Sequence, residues 1–544
     1  MSTDTESRTR ALVTTESSAL EAVSAALTLL ATVTVVLGFT GVAKVVPVTS
    51  TVAGIAVATL VGGILALLGV ALLVIGALSY ADLVDTEPTH TPGLISGVAY
   101  GFLTFVVVGL LAAQTLGLST LWSVVALLAA TGVALGAAAT REDLAVTIPT
   151  GAFLLFSGGV VLTGVIAPGF RWQPEGFSAA FTGEIAVPMI AIVAGLVGVW
   201  TAARAYGGFG ARGRQNGAYA LIGANAVAML TLLVLIVAFV VTKGFAPMTR
   251  GVQWGLFLGF YEYFHVYVPV LDQYVIFSGP KFWFYWPFVM EPYHPLGNAI
   301  SGILPAIVGT VWLVIGAVML AVPLGVGAAI FLTEYAEQGR FTQLIEVSTN
   351  GLWSTPSIVY GLFGFAFLVP RLGNTNSILA GQIVLGFMLL PLVVITSRES
   401  LKSVPDNYRD ASAALGVGKW ETIKSVVLPA AMPGVITGVI LGVGRIAGET
   451  APLLLVTGGT PFPSSTPSVL GSFQFTATPP FVNNPVLLEA SSALPYQLFA
   501  VITAGVGENL QFAWGTALVL LLVVLSFYAV GIVSRIYFRR KLNQ

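Results

Sequence analysis

Apolar stretches long enough to cross a bilayer recur along this chain and limit it to one kind of fold. A helix needs about 20 apolar residues to cross a hydrocarbon core roughly 30 Å thick. Runs of that kind lie near 19–43, 52–80, 94–115, 119–139, 145–167, 185–206, 218–242, 300–332, 343–370, 377–397, 432–458 and 513–536. Backbone groups in lipid must be satisfied within their own segment, so repeated apolar runs of this length read as helices. The expected fold class is an all-α polytopic membrane protein with about twelve transmembrane helices. The polar start, Met1 to Arg10, leads into Ala19 to Ala43, a stretch too long for a signal-peptide core and without a clear cleavage site, so it reads as a retained first helix.

Charge is scarce, at 9% of residues against 56% hydrophobic, and where it falls is informative. With an inside N-terminus, the inside segments hold sixteen Lys and Arg residues, ending in Arg539, Arg540 and Lys541. The outside segments hold six, Lys44, Arg171, Lys243, Arg250, Lys281 and Arg371, while Arg445 falls inside a run. That bias follows the positive-inside rule and places both termini in the cytoplasm of a multi-pass cell-membrane protein surrounded by lipid. The net charge of −1 gives no sign of a nucleic-acid partner, and the absence of Cys excludes disulfides and thiolate metal sites.

The Gly/Arg-rich stretch Gly207 to Arg214 reads as a connector, dividing the chain into a six-helix module, 1–215, and a second module, 216–544. No motif of one module recurs in the other. Two long segments, 243–299 and 459–512, are not apolar enough to cross and are expected outside as a cap. The first is crowded with aromatics, among them Trp254, Tyr261, Tyr263, Trp283 and Trp286, and reads as helices and loops on the membrane surface or as a stacking site for substrate. Arg141-Glu142-Asp143 reads as a solvated turn, and the few intramembrane charges of the first module point to a scaffold or assembly role.

The most charged stretch, 398–431, separates two apolar runs. It reads as two short helices, with Asp406 as an N-cap, a break at Gly416 and Pro429 closing the second. On spacing alone it is either a solvated connector or an exposed docking knob. Its pattern resembles the cytoplasmic EAA loop of ABC importer permeases. Asp410-Ala411-Ser412 stands for Glu-Ala-Ala, and Gly416, Val426, Leu428 and Pro429 keep the family's spacing. The Asp, Ser and Val are departures that preserve charge, size and apolar character. The resemblance implies that Arg409, Asp410, Ala411, Gly416, Leu428 and Pro429 couple the helices to a separate ATPase. No Gly-x-x-x-x-Gly-Lys-Ser/Thr run occurs in the chain, so ATP and Mg are expected on that partner and no cofactor on this one.

In the run after the loop, Gly434, Gly438 and Gly442 share a helical face, as do Gly444 and Gly448, and small residues four apart let a neighbouring helix approach closely. Arg445 lies near the middle of that run, with Glu449 one turn on. The pair reads either as a self-neutralising lock on helix packing or as a station for an anion, since a guanidinium offers paired N–H donors and permanent charge. With Thr450 it forms the candidate substrate pathway.

The run Gly444-Arg445-Ile446-Ala447-Gly448-Glu449-Thr450-Ala451-Pro452-Leu453 resembles the signature of phosphate importer permeases, of the PstA type more than the PstC type. Gly302 to Thr310, Pro323-Leu324-Gly325-Val326-Gly327 to Glu334-Tyr335, Pro356 to Gly364 and Ala493-Leu494-Pro495 point the same way, over about 218–544. The resemblance implies a MetI-like permease core made by the last six helices. It also implies a PstC-type second permease, PstB-type ATPase subunits and an external PstS-type phosphate-binding protein as partners. Sulfate or molybdate is the alternative cargo. Other classes are a non-transporting scaffold and a membrane enzyme, the latter poorly supported because His90, His265 and His294 are dispersed in sequence.

Overall fold

The structure, a computed structural model, describes residues 18–89, 94–114, 117–118, 120–173, 178–269, 273–293, 301–337, 339–478, 481–504 and 510–542. Among the described residues, eleven helices are long and apolar enough to cross a membrane, and one bent helix pair makes a twelfth candidate. The chain forms two compact units, Met1–Ala238 and Phe239–Gln544.

The first unit holds α1 (Ala19–Val42), α2 (Val57–Tyr80), α3 (Leu94–Gln114), α4 (Trp122–Ala139), α5 (Glu142–Leu162) and α6 (Gly183–Tyr206), and α7 (Gly210–Thr249) begins in it. The Gly/Arg connector is shorter than its composition suggests. Only Gly207–Phe209 turns, with positive φ at Gly208 and Phe209, and helix resumes at Gly210, so residues 215 and 216 lie inside α7.

Glycines set the packing of this unit, and they set it twice. A Cβ at Gly69 would meet the carbonyl of Gly151 and the amide of Leu155, and one at Gly195 would meet those of Ala31 and Val35. In the same way Gly158 lies against the carbonyl of Gly62 and the amide of Ala66, and Gly38 against those of Pro188 and Ile192. The α5 residues stand 120 positions after their α1 counterparts (31 to 151, 35 to 155, 38 to 158), and the α6 residues 126 after those of α2 (62 to 188, 66 to 192, 69 to 195). A two-stranded turn joins each pair, Thr51–Val52 with Ile55–Ala56 and Arg171–Trp172 with Phe181–Thr182. The hairpins α1–α2 and α5–α6 therefore form an internal repeat, packed on each other in one contact register.

The Arg141-Glu142-Asp143 turn is not solvated. Glu142 and Asp143 are 2% and 0% exposed. Glu142 accepts from Arg204, from Arg214 Nη1 (3.0 Å) and from Thr89 Oγ1 (2.5 Å), while Asp143 accepts from Ser79 Oγ (2.8 Å) and Arg141 Nη2 (2.7 Å). Buried charge persists in apolar surroundings when it is paired and hydrogen-bonded, as here.

In the second unit, the aromatic segment expected as surface helices and loops is instead a long antiparallel hairpin, Gln253–Val268 with Gln273–Tyr285. Its Tyr, Phe, Trp and Val content suits strands, and cross-strand pairs such as Phe264 with Phe277 stack at 4.8 Å. The described residues of segment 459–512 hold a short ladder, Gln474–Phe475 with Val482–Asn483, and α15 (Leu494–Ala504), and are otherwise mostly irregular. The helical frame is α8 (Leu304–Tyr335), α9 (Arg340–Ser354), α10 (Ser357–Leu372), α11 (Ile378–Lys402), α12 (Asp406–Ala414), α13 (Lys419–Ala447), α14 (Ala451–Val456) and α16 (Gln511–Leu542).

Two apolar runs depart from their expected form. The run at 343–370 is not one straight helix, because α9 and α10 meet at 100°. Pro356 disfavours helix at Thr355, which is extended with ψ 131°. The run at 432–458 breaks after Ala447, and the short α14 follows. Conversely, Pro429 does not close a loop helix. The helix that starts at Lys419 passes through a π turn, Ile423–Val427, and continues through Pro429 to Ala447. The turn sits where the missing Pro429 N–H would otherwise continue the α-helical ladder.

Candidate functional site

The charged loop between α11 and α13 is fastened at its root and bare at its tip. α12 starts at Asp406, with Pro405 in the capping position that the sequence assigned to Asp406. At the other end, Gly416 has φ +75°, Val417 N donates to Ser412 O (3.1 Å) and Gly416 N to Ala413 O (2.9 Å). This is a Schellman ending, which favours glycine because a Cβ is strained in the left-handed region.

Arg409 ties α12 to the ends of two helices. Its Nη2 donates to Glu334 Oε1 (2.8 Å) and Leu401 O (3.1 Å), and its Nη1 to Val404 O (2.9 Å) and Asp406 Oδ1 (3.1 Å). The hydrogen bond to Glu334 raises the Arg409 pKa above its ordinary value, favouring the charged guanidinium that makes the tie. Lys419 lies 5.0 Å from the ring centre of Tyr335, and Ile330, Leu401, Val404, Ile423 and Val427 form a buried cluster beneath. Leu428 and Pro429 are half-buried beside it, whereas Asp410, Ala411 and Gly416 are exposed. So are Tyr408, Leu415 and Trp420, an apolar tip without cover in this chain. Arg409 thus joins this exposed tip to α8 and α11.

In α13, a Cβ at Gly434, Gly438 or Gly442 would run into Ser400, Thr396 or Leu389 of α11, and one at Gly444 into Tyr528 of α16. Gly448 has no neighbouring helix within 4 Å and serves as the backbone C-cap. Arg445 therefore lies in the last turn of α13 rather than mid-helix, where the carbonyl end favours a cation. Glu449 lies past the helix end, with its Oε1 3.8 Å from Arg445 Nε, an ion pair longer than a hydrogen bond. Thr450 heads α14, and its carbonyl accepts from Leu454 N (3.1 Å).

A contact absent from the sequence reading completes this site. The Arg445 guanidinium sits 4.1 Å from the ring centre of Trp353, the penultimate residue of α9. Across the bend, Gly361 of α10 leaves room for the Cα of Pro452. Both arms of the bent pair thus touch the Arg445–Pro452 segment. Neither Trp353 nor Glu334 carries a local signal of its role, since each is defined by a partner remote in sequence. Among the described residues, no group of three or more His, Cys, Asp or Glu could hold a metal; His265 lies in the hairpin, and His90 and His294 fall outside the described residues.

Residues 321–542 match the family of binding-protein-dependent transport system inner membrane components. The chain is 34% identical over 247 residues to the phosphate transport system permease protein PstA of Haemophilus influenzae, covering 45% of this chain and 79% of that one. The chain belongs to the PstA permease family. PstA 1 of Mycobacterium tuberculosis (strain CDC 1551 / Oshkosh) is 35% identical over 224 residues, 41% of this chain and 67% of its own, and the probable ABC transporter permease YqgI of Bacillus subtilis is 34% identical over 230 residues, 42% and 75%. An inward-facing structure of the MetNI methionine ABC transporter shares 15% identity, covering 43% of this chain and 93% of that one, at a TM-score of 0.31, too loose to bear on geometry. The loop 398–431, with Asp410, Ala411 and Gly416, and the Arg445–Glu449 pair both fall within residues 321–542.

Proposed function

We infer that this chain is the transmembrane permease subunit of an ATP-driven inorganic phosphate importer. The observation that carries the reading is the loop 398–431, bare and apolar at Leu415 and Trp420 and bound to α8 and α11 through Arg409. A partner ATPase, of the PstB type, would grip that tip, and its closure would move both helices at once. A PstC-type permease and a PstS-type binding protein complete the assembly. The loop faces the cytoplasm, both termini lie on the same side, and Arg445, held by Glu449 between cycles, receives the oxyanion. The first six helices form a scaffold module, consistent with the repeat that packs four of them, α1, α2, α5 and α6, and with the buried charge network at Glu142 and Asp143.

A bulky residue at Gly416 strains the loop. Gly416→Val places a β-branched side chain at φ +75°, at a cost of about 1–2 kcal/mol, so the Schellman ending opens. Copurification of the ATPase with this variant is expected to fall about tenfold, in proportion to that energy. Unchanged copurification contradicts docking through this loop.

The cargo is tested by labelled phosphate uptake at low external concentration, with sulfate and molybdate as competitors. Uptake that only phosphate competes supports the phosphate reading. Uptake that sulfate or molybdate displaces replaces phosphate with that oxyanion.

A further inference from the structure

α9 joins the root of the loop to Arg445. Seven residues before Trp353, and so two turns away on the same face, Glu346 pairs with Arg398, a residue on the last turns of α11 whose side chain is 13% exposed. α11 ends at Lys402, next to the Leu401 and Val404 carbonyls that Arg409 holds. At its other end α9 places Trp353 on Arg445. The corner beyond is braced, because Tyr360 OH donates to Leu352 O at 2.8 Å. One 15-residue helix thus carries both contacts, in a chain of touching groups from Arg409 through α11 and Glu346 to Trp353 and Arg445.

We propose that α9 is the lever that conveys movement of the loop to Arg445, and that Trp353 is the positioning residue at its tip. This rests on the importer reading above. In the arrangement seen here, Trp353 and Glu449 engage the guanidinium together, which leaves it compensated and its ring-facing side closed to an anion. When the loop moves α11, the Arg398–Glu346 pair draws α9 with it, Trp353 withdraws and the paired N–H donors of Arg445 open to an oxyanion. Return of Trp353 displaces the anion. Trp353 makes this exchange reversible because a ring face attracts a cation without offering it a competing negative charge.

The test uses the complete importer in phospholipid vesicles and reads phosphate accumulated per ATP hydrolysed for the wild type, Trp353→Leu, Trp353→Phe and Glu346→Gln. Trp353→Leu is expected to lower that ratio about tenfold while ATP hydrolysis stays within about twofold, and Trp353→Phe, which keeps a ring face, to restore most of it. Glu346→Gln is expected to lower the ratio in the same way, because the charge that draws α9 is gone. A wild-type ratio in Trp353→Leu or in Glu346→Gln overturns the proposal, as does Trp353→Phe as poor as Trp353→Leu, which marks indole bulk rather than the cation–π contact. Should Trp353→Leu not assemble, Trp353→Phe and Glu346→Gln decide by the same ratio. Wild-type vesicles that accumulate no phosphate reject the importer reading instead.

Discussion

Arg445→Gln is expected to lower phosphate uptake about 100-fold, the equivalent of losing charge-assisted hydrogen bonds that contribute ~3 kcal/mol. Glutamine keeps a polar side chain but is shorter and has neither the charge nor the forked donors of the guanidinium. The packing of α13 does not depend on the guanidinium, since Gly434, Gly438, Gly442 and Gly444 seat that helix against α11 and α16. The complex is therefore expected to assemble with its ATPase bound. Glu449→Gln is expected to impair uptake in the same direction, because Arg445 then lacks its carboxylate between cycles. Normal uptake in both variants leaves the pair a lock on packing and removes it from the pathway.

Glu142→Ala is expected to be the most damaging single change in the first unit. The substitution strands Arg204, which is 4% exposed and whose Nε already lacks a partner, and frees Arg214 and Thr89. Removing one partner of a buried ion pair costs about 3–5 kcal/mol. The thermal unfolding of the purified protein in detergent reads this as a clear fall in midpoint. A midpoint equal to that of the wild type contradicts the burial of this network.

The apolar runs were legible because the bilayer demands length and continuity, and a run of Leu, Val and Ala supplies both. The loop was legible for the opposite reason, as an island of charge with a glycine where the chain must turn left-handed. The bend between α9 and α10 had a written signal, Thr355-Pro356, which the apolar character of its flanks masked. The hairpin also had one, in its Tyr, Phe and Val content, but those aromatics equally suit a membrane surface.

Other features had none. The internal repeat survives as contact register, with glycine kept at 38 and 158 and at 69 and 195, while Gly62 is matched by Pro188 and Ala31 by Gly151. The burial of Glu142 depends on Arg204 and Arg214, which no local pattern links to it. Arg445 stands at a helix end because the helix stops at Ala447 with Gly448 as its C-cap, and its contact with Trp353 joins residues 92 positions apart.

The most direct test of the central claim is labelled phosphate accumulation in cells at low external phosphate, with and without this chain. Loss of an accumulation that depends on ATP and that only phosphate competes is the predicted result. Undiminished phosphate accumulation in cells lacking the chain contradicts it.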